Sequence, residues 1–224
     1  MALLKRLDKI FSILLFFAVP LGLYFAFIYA PAEKTMGLLQ KIFYFHVSSA
    51  WVGFFAFFVT FIASILYLAT KKITYDDIAS ASAEIGLIFC TIVIVTGPLW
   101  ARPTWGVYWT WDARLTSTLI LWFIYIGYVM VRQFMQDIHK QAQFSALLGI
   151  IGFINVPIVF LSIQWWEETI HPNVIQKGGG GMDKDMFTAL LVCLLTFTII
   201  YLSLLFRQLR IKIIKRKVSF YELD

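Results

Sequence analysis

Six long apolar runs dominate the chain, and short segments that hold most of the polar and charged residues separate them. The runs cover approximately residues 10–30, 42–69, 79–99, 115–131, 144–163 and 186–206. A helix needs about 20 residues to cross the hydrocarbon core of a bilayer, and each run approaches or exceeds that length. The pattern therefore predicts an all-α integral membrane protein, with six transmembrane helices in one polytopic domain over residues 1–224.

Composition supports the same class of protein. Of the 224 residues, 60% are hydrophobic and only 14% are charged, which is too apolar for a soluble domain. Cys90 and Cys193 each fall inside an apolar run, which indicates buried packing residues rather than a disulfide. The G-x-x-x-x-G-K-[ST] pattern is absent, so ATP hydrolysis would have to come from a partner. With no catalytic constellation in view, we predict that the chain is not an enzyme.

The distribution of basic residues predicts the orientation in the membrane. Six spans place both termini on one side, which then holds thirteen of the 19 basic residues: Lys5, Arg6, Lys9, Lys71, Lys72, Arg132, Lys140, Arg207, Arg210, Lys212, Lys215, Arg216 and Lys217. The other side holds six: Lys34, Lys41, Arg102, Arg114, Lys177 and Lys184. Because cytoplasmic segments carry the excess of Lys and Arg, both termini should be cytoplasmic and the other side external.

Residues 97–116, GPLWARPTWGVYWTWDARLT, separate the third run from the fourth on the predicted outer side; we call them the tryptophan segment. They contain four of the eight tryptophans of the chain: Trp100, Trp105, Trp109 and Trp111. Three charged residues lie among these tryptophans or directly after them: Arg102, Asp112 and Arg114. Two prolines and two glycines argue against a regular helix here, so we predict a loop. The indoles fit two interpretations, an interfacial aromatic belt or an apolar platform for a planar hydrophobic ligand.

Two of the three histidines share the predicted outer side with the tryptophan segment. His46 is placed one helical turn above the hydrocarbon, and His171 follows the fifth run in QWWEETIHPN. A lone histidine in such a place more often caps a helix end or bonds to headgroups. Two neutral imidazoles on opposite sides of an aromatic-lined slot could bind haem iron axially, and their position beside the tryptophan segment favours ligation. His139 lies in a cytoplasmic loop, where we expect it to be solvated.

The stretch WGVYWTWDARLTS resembles the tryptophan-rich "WWD" signature of the haem-handling proteins of cytochrome c maturation. The match is closer to the CcmC family, which has six spans and the pattern W-G-x-x-W-x-W-D-x-R-L-T. IFYFHV around His46 and QWWEETIH around His171 extend the resemblance over essentially the whole chain. Four positions depart from the family pattern without removing a proposed ligand: Ser48, Tyr108, Thr118 and Pro172.

The resemblance implies a protein of the bacterial or mitochondrial inner membrane that holds haem on its outer face, with His46 and His171 as axial ligands. It further implies transfer of the haem to the chaperone CcmE, in association with CcmD and the CcmA–CcmB ATP-binding transporter. No C-x-x-C-H motif occurs, so we expect haem b to be bound non-covalently.

The remaining site residues have roles that follow from their chemistry. Three indoles would stack against the porphyrin or form the surface that the chaperone contacts: Trp105, Trp109 and Trp111. Asp112 would orient either Arg114 or a backbone amide. Arg102 or Arg114 could pair with the haem propionates, because a guanidinium matches the geometry of a carboxylate.

Two other classes of protein remain as alternatives. An electron-transfer cytochrome b would place histidine pairs at two depths in the membrane, whereas here no histidine is placed in the core of a span. A channel or permease subunit would carry polar or ionisable residues inside its spans, and these are scarce here.

Charged residues on the cytoplasmic side have simpler expected roles. We expect Asp76, Asp77 and Glu84 to cap and solvate the start of the third helix. The basic tail over residues 207–217 should anchor the chain against anionic lipid, or alternatively dock a cytosolic partner.

Overall fold

The computed structural model describes residues 1–165 and 182–221. Within these ranges the chain forms six α-helices: α1 Ala2–Tyr24, α2 Ile42–Thr70, α3 Ile73–Trp105, α4 Ala113–Phe134, α5 Ile138–Trp165 and α6 Lys184–Tyr221. A π-helix, Phe25–Tyr29, continues α1, and a 3-10 helix, Leu38–Lys41, leads into α2. Six helices in the described part of the chain are long and apolar enough to cross a membrane. The prediction of six transmembrane helices is therefore confirmed.

Helices α2 and α3 form the central pair, with α1 and α6 packed on one side and α4 and α5 on the other. Gly86 of α3 lets the central pair approach closely, because a Cβ at this position would lie 2.6 Å from a ring carbon of Phe57. Phe57 in turn stacks on Tyr125 of α4, with ring centroids 3.7 Å apart. Close packing of small residues and aromatic rings thus stabilises the bundle. This is expected in a membrane, because the hydrophobic effect does not drive helices together in lipid.

One end of the bundle, which we call the terminal end, holds the start of α1 and the end of α6. Among the described residues, five ion pairs lie there: Asp8–Arg207, Asp8–Arg210, Asp76–Arg132, Asp77–Arg216 and Glu84–Lys212. Asp76 and Asp77 are each only 4% exposed. The expectation that they solvate the start of α3 is therefore wrong, because α4 and α6 bury both carboxylates and supply a guanidinium to each.

The basic tail is helical, since α6 continues to Tyr221. Within the described residues, four of its six basic side chains pair with carboxylates of α1 and α3: Arg207, Arg210, Lys212 and Arg216. These ion pairs hold the tail against α1 and α3, a structural role that we did not predict when we expected the tail to contact anionic lipid.

The opposite end, which we call the tryptophan end, holds the tryptophan segment. Helix α3 continues through Pro98 and Pro103 as far as Trp105, so the loop predicted over residues 97–116 is irregular only over residues 106–112. Each proline removes one helical hydrogen bond, but unwinding the helix at a membrane boundary would release many more backbone groups. Gly106 ends α3 at φ +80°, where its N–H donates to the carbonyl of Arg102. A glycine adopts this left-handed conformation without strain.

Candidate functional site

His46 lies in the second turn of α2, which begins at Ile42. Its Nδ1 atom is 2.8 Å from the hydroxyl of Thr96 on α3. A Cβ on Gly97 would lie 3.5 Å from its Cε1 atom, which is ordinary van der Waals contact. The imidazole therefore lies where the tryptophan segment begins. The two are brought together by the packing of α2 on α3.

The indoles of the tryptophan segment meet edge to face. Trp100 and Trp105 have ring centroids 5.3 Å apart at 78°, and Trp109 and Trp111 are 5.9 Å apart at 75°. Trp111 is 77% exposed, whereas Trp105 and Trp109 are half-buried. These two pairs do not form one flat surface, so a planar ligand would contact ring edges and single ring faces rather than a continuous platform.

Several buried hydrogen-bonding atoms in this segment lack a partner within the described residues. They are Nε1 of Trp100, Nε1 of Trp109 and the hydroxyl oxygen of Thr116. An indole N–H can only donate, and leaving a buried donor unpaired costs about 1–3 kcal/mol. Such atoms suit a site that is completed by a ligand carrying acceptor oxygens.

Asp112 has a defined structural contact. Its carboxylate accepts from the backbone N–H of Leu115 at 2.9 Å and from the hydroxyl of Thr110 at 3.0 Å. Asp112 is therefore the N-cap of α4, and of the two roles expected for it, the structure shows contact with a backbone amide.

The two arginines of the segment differ in their surroundings. Arg102 is exposed, donates to the carbonyl oxygen of Gly106 and lies over the ring of Tyr108 at 5.4 Å. Arg114 is half-buried in the first turn of α4. Within residues 1–165 and 182–221, its guanidinium forms no ion pair and no hydrogen bond. Of the two arginines, Arg114 is therefore the one whose guanidinium N–H groups are available to a ligand.

The loop between α1 and α2 lies against this end of the bundle, since the hydroxyl of Thr104 reaches the Met36 sulfur at 3.8 Å. Glu33 folds the loop by accepting hydrogen bonds from the hydroxyl of Thr35 and from two backbone amides. These bonds favour the ionised carboxylate, first of all the bond from Thr35, and lower the pKa of Glu33 below its ordinary value. Lys41 is buried and donates to the carbonyl of Phe27 at 2.5 Å, which ties the start of α2 to the π-helix.

His171, the second predicted ligand, belongs to residues 166–181 and lies outside the described residues. His139 is exposed in the first turn of α5, at the terminal end, where its carbonyl accepts from Tyr67 at 3.5 Å. Sequence reasoning missed Thr96, the partner of His46, because the two residues lie fifty positions apart on different helices.

Fold and site together define a multi-span membrane protein whose histidine and tryptophan cluster lies at one end of a helical bundle. The family model described as "Heme exporter protein C" matches residues 1–223, and the chain belongs to this family, CcmC, of the cytochrome c maturation system. The resemblance seen in the sequence is therefore confirmed. The family is one of haem exporter components, which points to a role other than that of an enzyme.

Relatives occur in bacteria and in mitochondria. A protein named Heme exporter protein C from Bradyrhizobium diazoefficiens is 38% identical over 84% of this chain and 72% of its own length. The Heme exporter protein C of Escherichia coli K12 is 36% identical over 67% of this chain and 61% of its own length. A ccmC-like mitochondrial protein of Marchantia polymorpha, named for cytochrome c biosynthesis, is 33% identical over 81% of this chain and 77% of its own length.

Proposed function

We propose that this protein binds haem b non-covalently at the tryptophan end and presents it to the haem chaperone CcmE for attachment to c-type cytochromes. The observation that carries the proposal is the position of His46, whose ring lies against residues 96–97 at the start of the tryptophan segment. Family membership supports haem as the cargo, since the matching model is that of a haem exporter.

The described residues fit a haem in three respects. An imidazole can ligate iron, and His46 provides one at the tryptophan end of the bundle. The indole N–H groups of Trp100 and Trp109, which have no partner among the described residues, can donate to a carboxylate. Arg114 supplies a half-buried guanidinium that forms no ion pair among the described residues, which suits a propionate.

In the proposed arrangement, His46 and His171 would be the two residues that ligate the haem iron. The half-buried rings of Trp105 and Trp109 would contact the porphyrin, and the exposed ring of Trp111 would contact the chaperone.

For the propionates we favour Arg114 over Arg102, because Arg102 already braces the turn at Gly106. Asp112 contributes indirectly, by starting α4 at the position that carries Arg114.

The membrane and its sidedness are part of the same proposal. We place the protein in the bacterial cytoplasmic membrane or the mitochondrial inner membrane, with both termini inside and the tryptophan end outside. The thirteen-to-six distribution of basic residues supports this orientation. CcmD and the CcmA–CcmB ATP-binding transporter complete the proposed assembly, and hydrolysis of ATP is assigned to that transporter.

The first experiment tests binding. Purified protein should show the visible spectrum of low-spin haem with two histidine ligands, with and without a reductant. His46→Ala and His171→Ala should each lower the haem content while the protein remains inserted in the membrane. His139→Ala is the matched control and should change nothing, because His139 is exposed at the opposite end. Unchanged haem in both ligand variants would refute the axial assignment, and loss of haem in the control would favour an electron-transfer cytochrome b.

The second experiment separates binding from delivery. Trp109→Ala removes one half-buried indole, and burial of that size is worth about 1–3 kcal/mol, so haem binding should weaken by up to about a hundredfold but persist. Delivery should fall further, because a misplaced porphyrin no longer meets the chaperone. Haem on this protein and haem on CcmE are measured side by side. If haem binding and haem delivery fall in parallel, the tryptophan segment is only part of the binding site. If neither binding nor delivery falls, the tryptophan segment is an interfacial aromatic belt.

Asp112 requires a more conservative substitution. Asp112→Ala would remove the N-cap of α4 at a cost of about 1 kcal/mol, which would confuse a role in delivery with a loss of structure. Asp112→Asn keeps a capping side chain and removes only the charge. We expect the Asn variant to bind and deliver haem like the wild type, and a selective loss of delivery would assign the charge itself a role.

A further inference from the structure

Thr96 makes two hydrogen bonds with its hydroxyl, and together they determine where the ring proton of His46 lies. The hydroxyl oxygen is 2.7 Å from the carbonyl oxygen of Ile92, one turn earlier in α3, and 2.8 Å from Nδ1 of His46. A carbonyl oxygen only accepts, so the single hydroxyl proton of Thr96 is directed to Ile92. Nδ1 of His46 must then be the donor in the second bond.

The same α3 helix contains an unambiguous example of this geometry. Thr91 donates to the carbonyl of Leu87 at 2.8 Å and accepts from Nε1 of Trp122 at 2.9 Å. An indole nitrogen cannot accept, so the direction of that bond is certain. Thr91 and Thr96 therefore use one arrangement, in which a threonine donates along its own helix and accepts from a ring N–H of a neighbouring helix.

We propose that Thr96 is a positioning residue that holds neutral His46 in the tautomer with its proton on Nδ1. In that tautomer the lone pair is on Nε2, the atom that would ligate the iron of haem. The bond from Nδ1 to the Thr96 hydroxyl also restricts the rotation of the ring. The proposal rests on the proposed function for its consequence, but the tautomer itself is a property of the haem-free protein.

The effect on haem follows from the general behaviour of residues that orient metal ligands, whose loss typically weakens metal binding by 10- to 100-fold. Thr96→Val keeps the shape and removes the hydroxyl, so we expect a loss of affinity in that range and a fraction of high-spin haem in the spectrum. Thr96→Ser restores the hydroxyl and should restore both affinity and spectrum. Thr91→Val is the matched control, because it removes an equivalent interhelical bond that does not involve His46.

These variants separate positioning from simple stability. If Thr91→Val weakens haem binding as much as Thr96→Val, the hydroxyls act through the helix bundle in general, and the proposal fails. If Thr96→Val binds haem like the wild type, it fails as well.

A second measurement needs no haem. Nitrogen NMR of haem-free protein with ring-labelled histidine distinguishes a protonated ring nitrogen from an unprotonated one, and His139→Gln and His171→Gln assign the signal of His46. We expect a proton on Nδ1 in the wild type and in Thr96→Ser, and a mixture of tautomers in Thr96→Val. A wild-type signal with the proton on Nε2 would overturn the proposal whether or not any variant folds.

The two measurements also separate this proposal from the proposed function. If the wild type binds no haem while the nitrogen signals behave as expected, the assignment of haem is wrong and the role of Thr96 stands. If the wild type binds haem through His46 but the signals do not depend on Thr96, the proposed function stands and the role of Thr96 is wrong.

Discussion

Arg114 provides the sharpest test of the proposed haem site, because Arg102 in the same segment is a matched control. Arg114 is half-buried and its guanidinium has no ion pair among the described residues, whereas Arg102 is exposed and already bonded to Gly106. If a haem propionate pairs with Arg114, then Arg114→Gln should weaken haem binding much more than Arg102→Gln.

The size of the difference follows from burial. A hydrogen bond to a charged group contributes about 1.5–3 kcal/mol, which corresponds to about 10- to 150-fold in Kd. An exposed ion pair contributes about 0–1 kcal/mol, so Arg102→Gln should change Kd by no more than about fivefold. Arg114→Lys should fall between the wild type and Arg114→Gln, because an ammonium keeps the charge but not the two-pronged geometry.

The assay is titration of haem into haem-depleted protein, followed by its visible spectrum. Repeating it with the dimethyl ester of haem tests the contact itself, since the ester lacks the propionate charges. With the ester, the wild type and Arg114→Gln should bind almost equally. A difference that persists with the ester, or a larger effect of Arg102→Gln, would refute the assignment of Arg114.

Two further predictions concern the membrane orientation and the ion pairs. Thr104→Cys, in a background without the native cysteines, should react with a membrane-impermeant thiol reagent in intact cells; labelling only after lysis would reverse the orientation and exclude an external haem site. In the wild type, Arg132 donates to the buried carboxylate of Asp76 at 2.7 and 2.9 Å. Arg132→Met leaves that carboxylate without this partner and should lower the free energy of unfolding by about 3–5 kcal/mol in a denaturant titration. Lys212→Met breaks the less buried pair with Glu84 and should cost about 1 kcal/mol or less, so equal losses would contradict the argument from burial.

The transmembrane helices could be predicted because a bilayer demands about 20 apolar residues for each span and satisfies their backbone only in a helix. The same rule explains the error in the tryptophan segment. Pro98 and Pro103 would break a helix in water, but in α3 each removes only one hydrogen bond. Unwinding the helix instead would leave many more backbone groups without hydrogen bonds in the membrane. Only Gly106, whose positive φ redirects the chain, ends the helix.

Interactions between helices could not be predicted from the order of residues. Asp77 was expected to be solvated because its partner, Arg216, is 139 positions away, at the far end of the chain. The contact between Thr96 and His46 likewise depends on how α2 packs on α3. Asp112 is different, because an N-cap is a local feature, and an aspartate directly before an apolar helix is the usual signal for one.

Asp76 and Asp77 at one end of the bundle differ from Trp109 and Arg114 at the other end in whether they have partners within the described residues. At the terminal end, the buried carboxylates of Asp76 and Asp77 have guanidinium partners from α4 and α6. At the tryptophan end, among the described residues, the buried indole N–H of Trp109 has no hydrogen-bond partner and Arg114 forms no ion pair. Unpaired donors cost stability unless a ligand carrying acceptors completes the site. A molecule with carboxylates should therefore stabilise the tryptophan end on binding and leave the terminal end unchanged. Hydrogen exchange with and without haem should show new protection in α3 after Thr96 and at the start of α4, but not near Asp76.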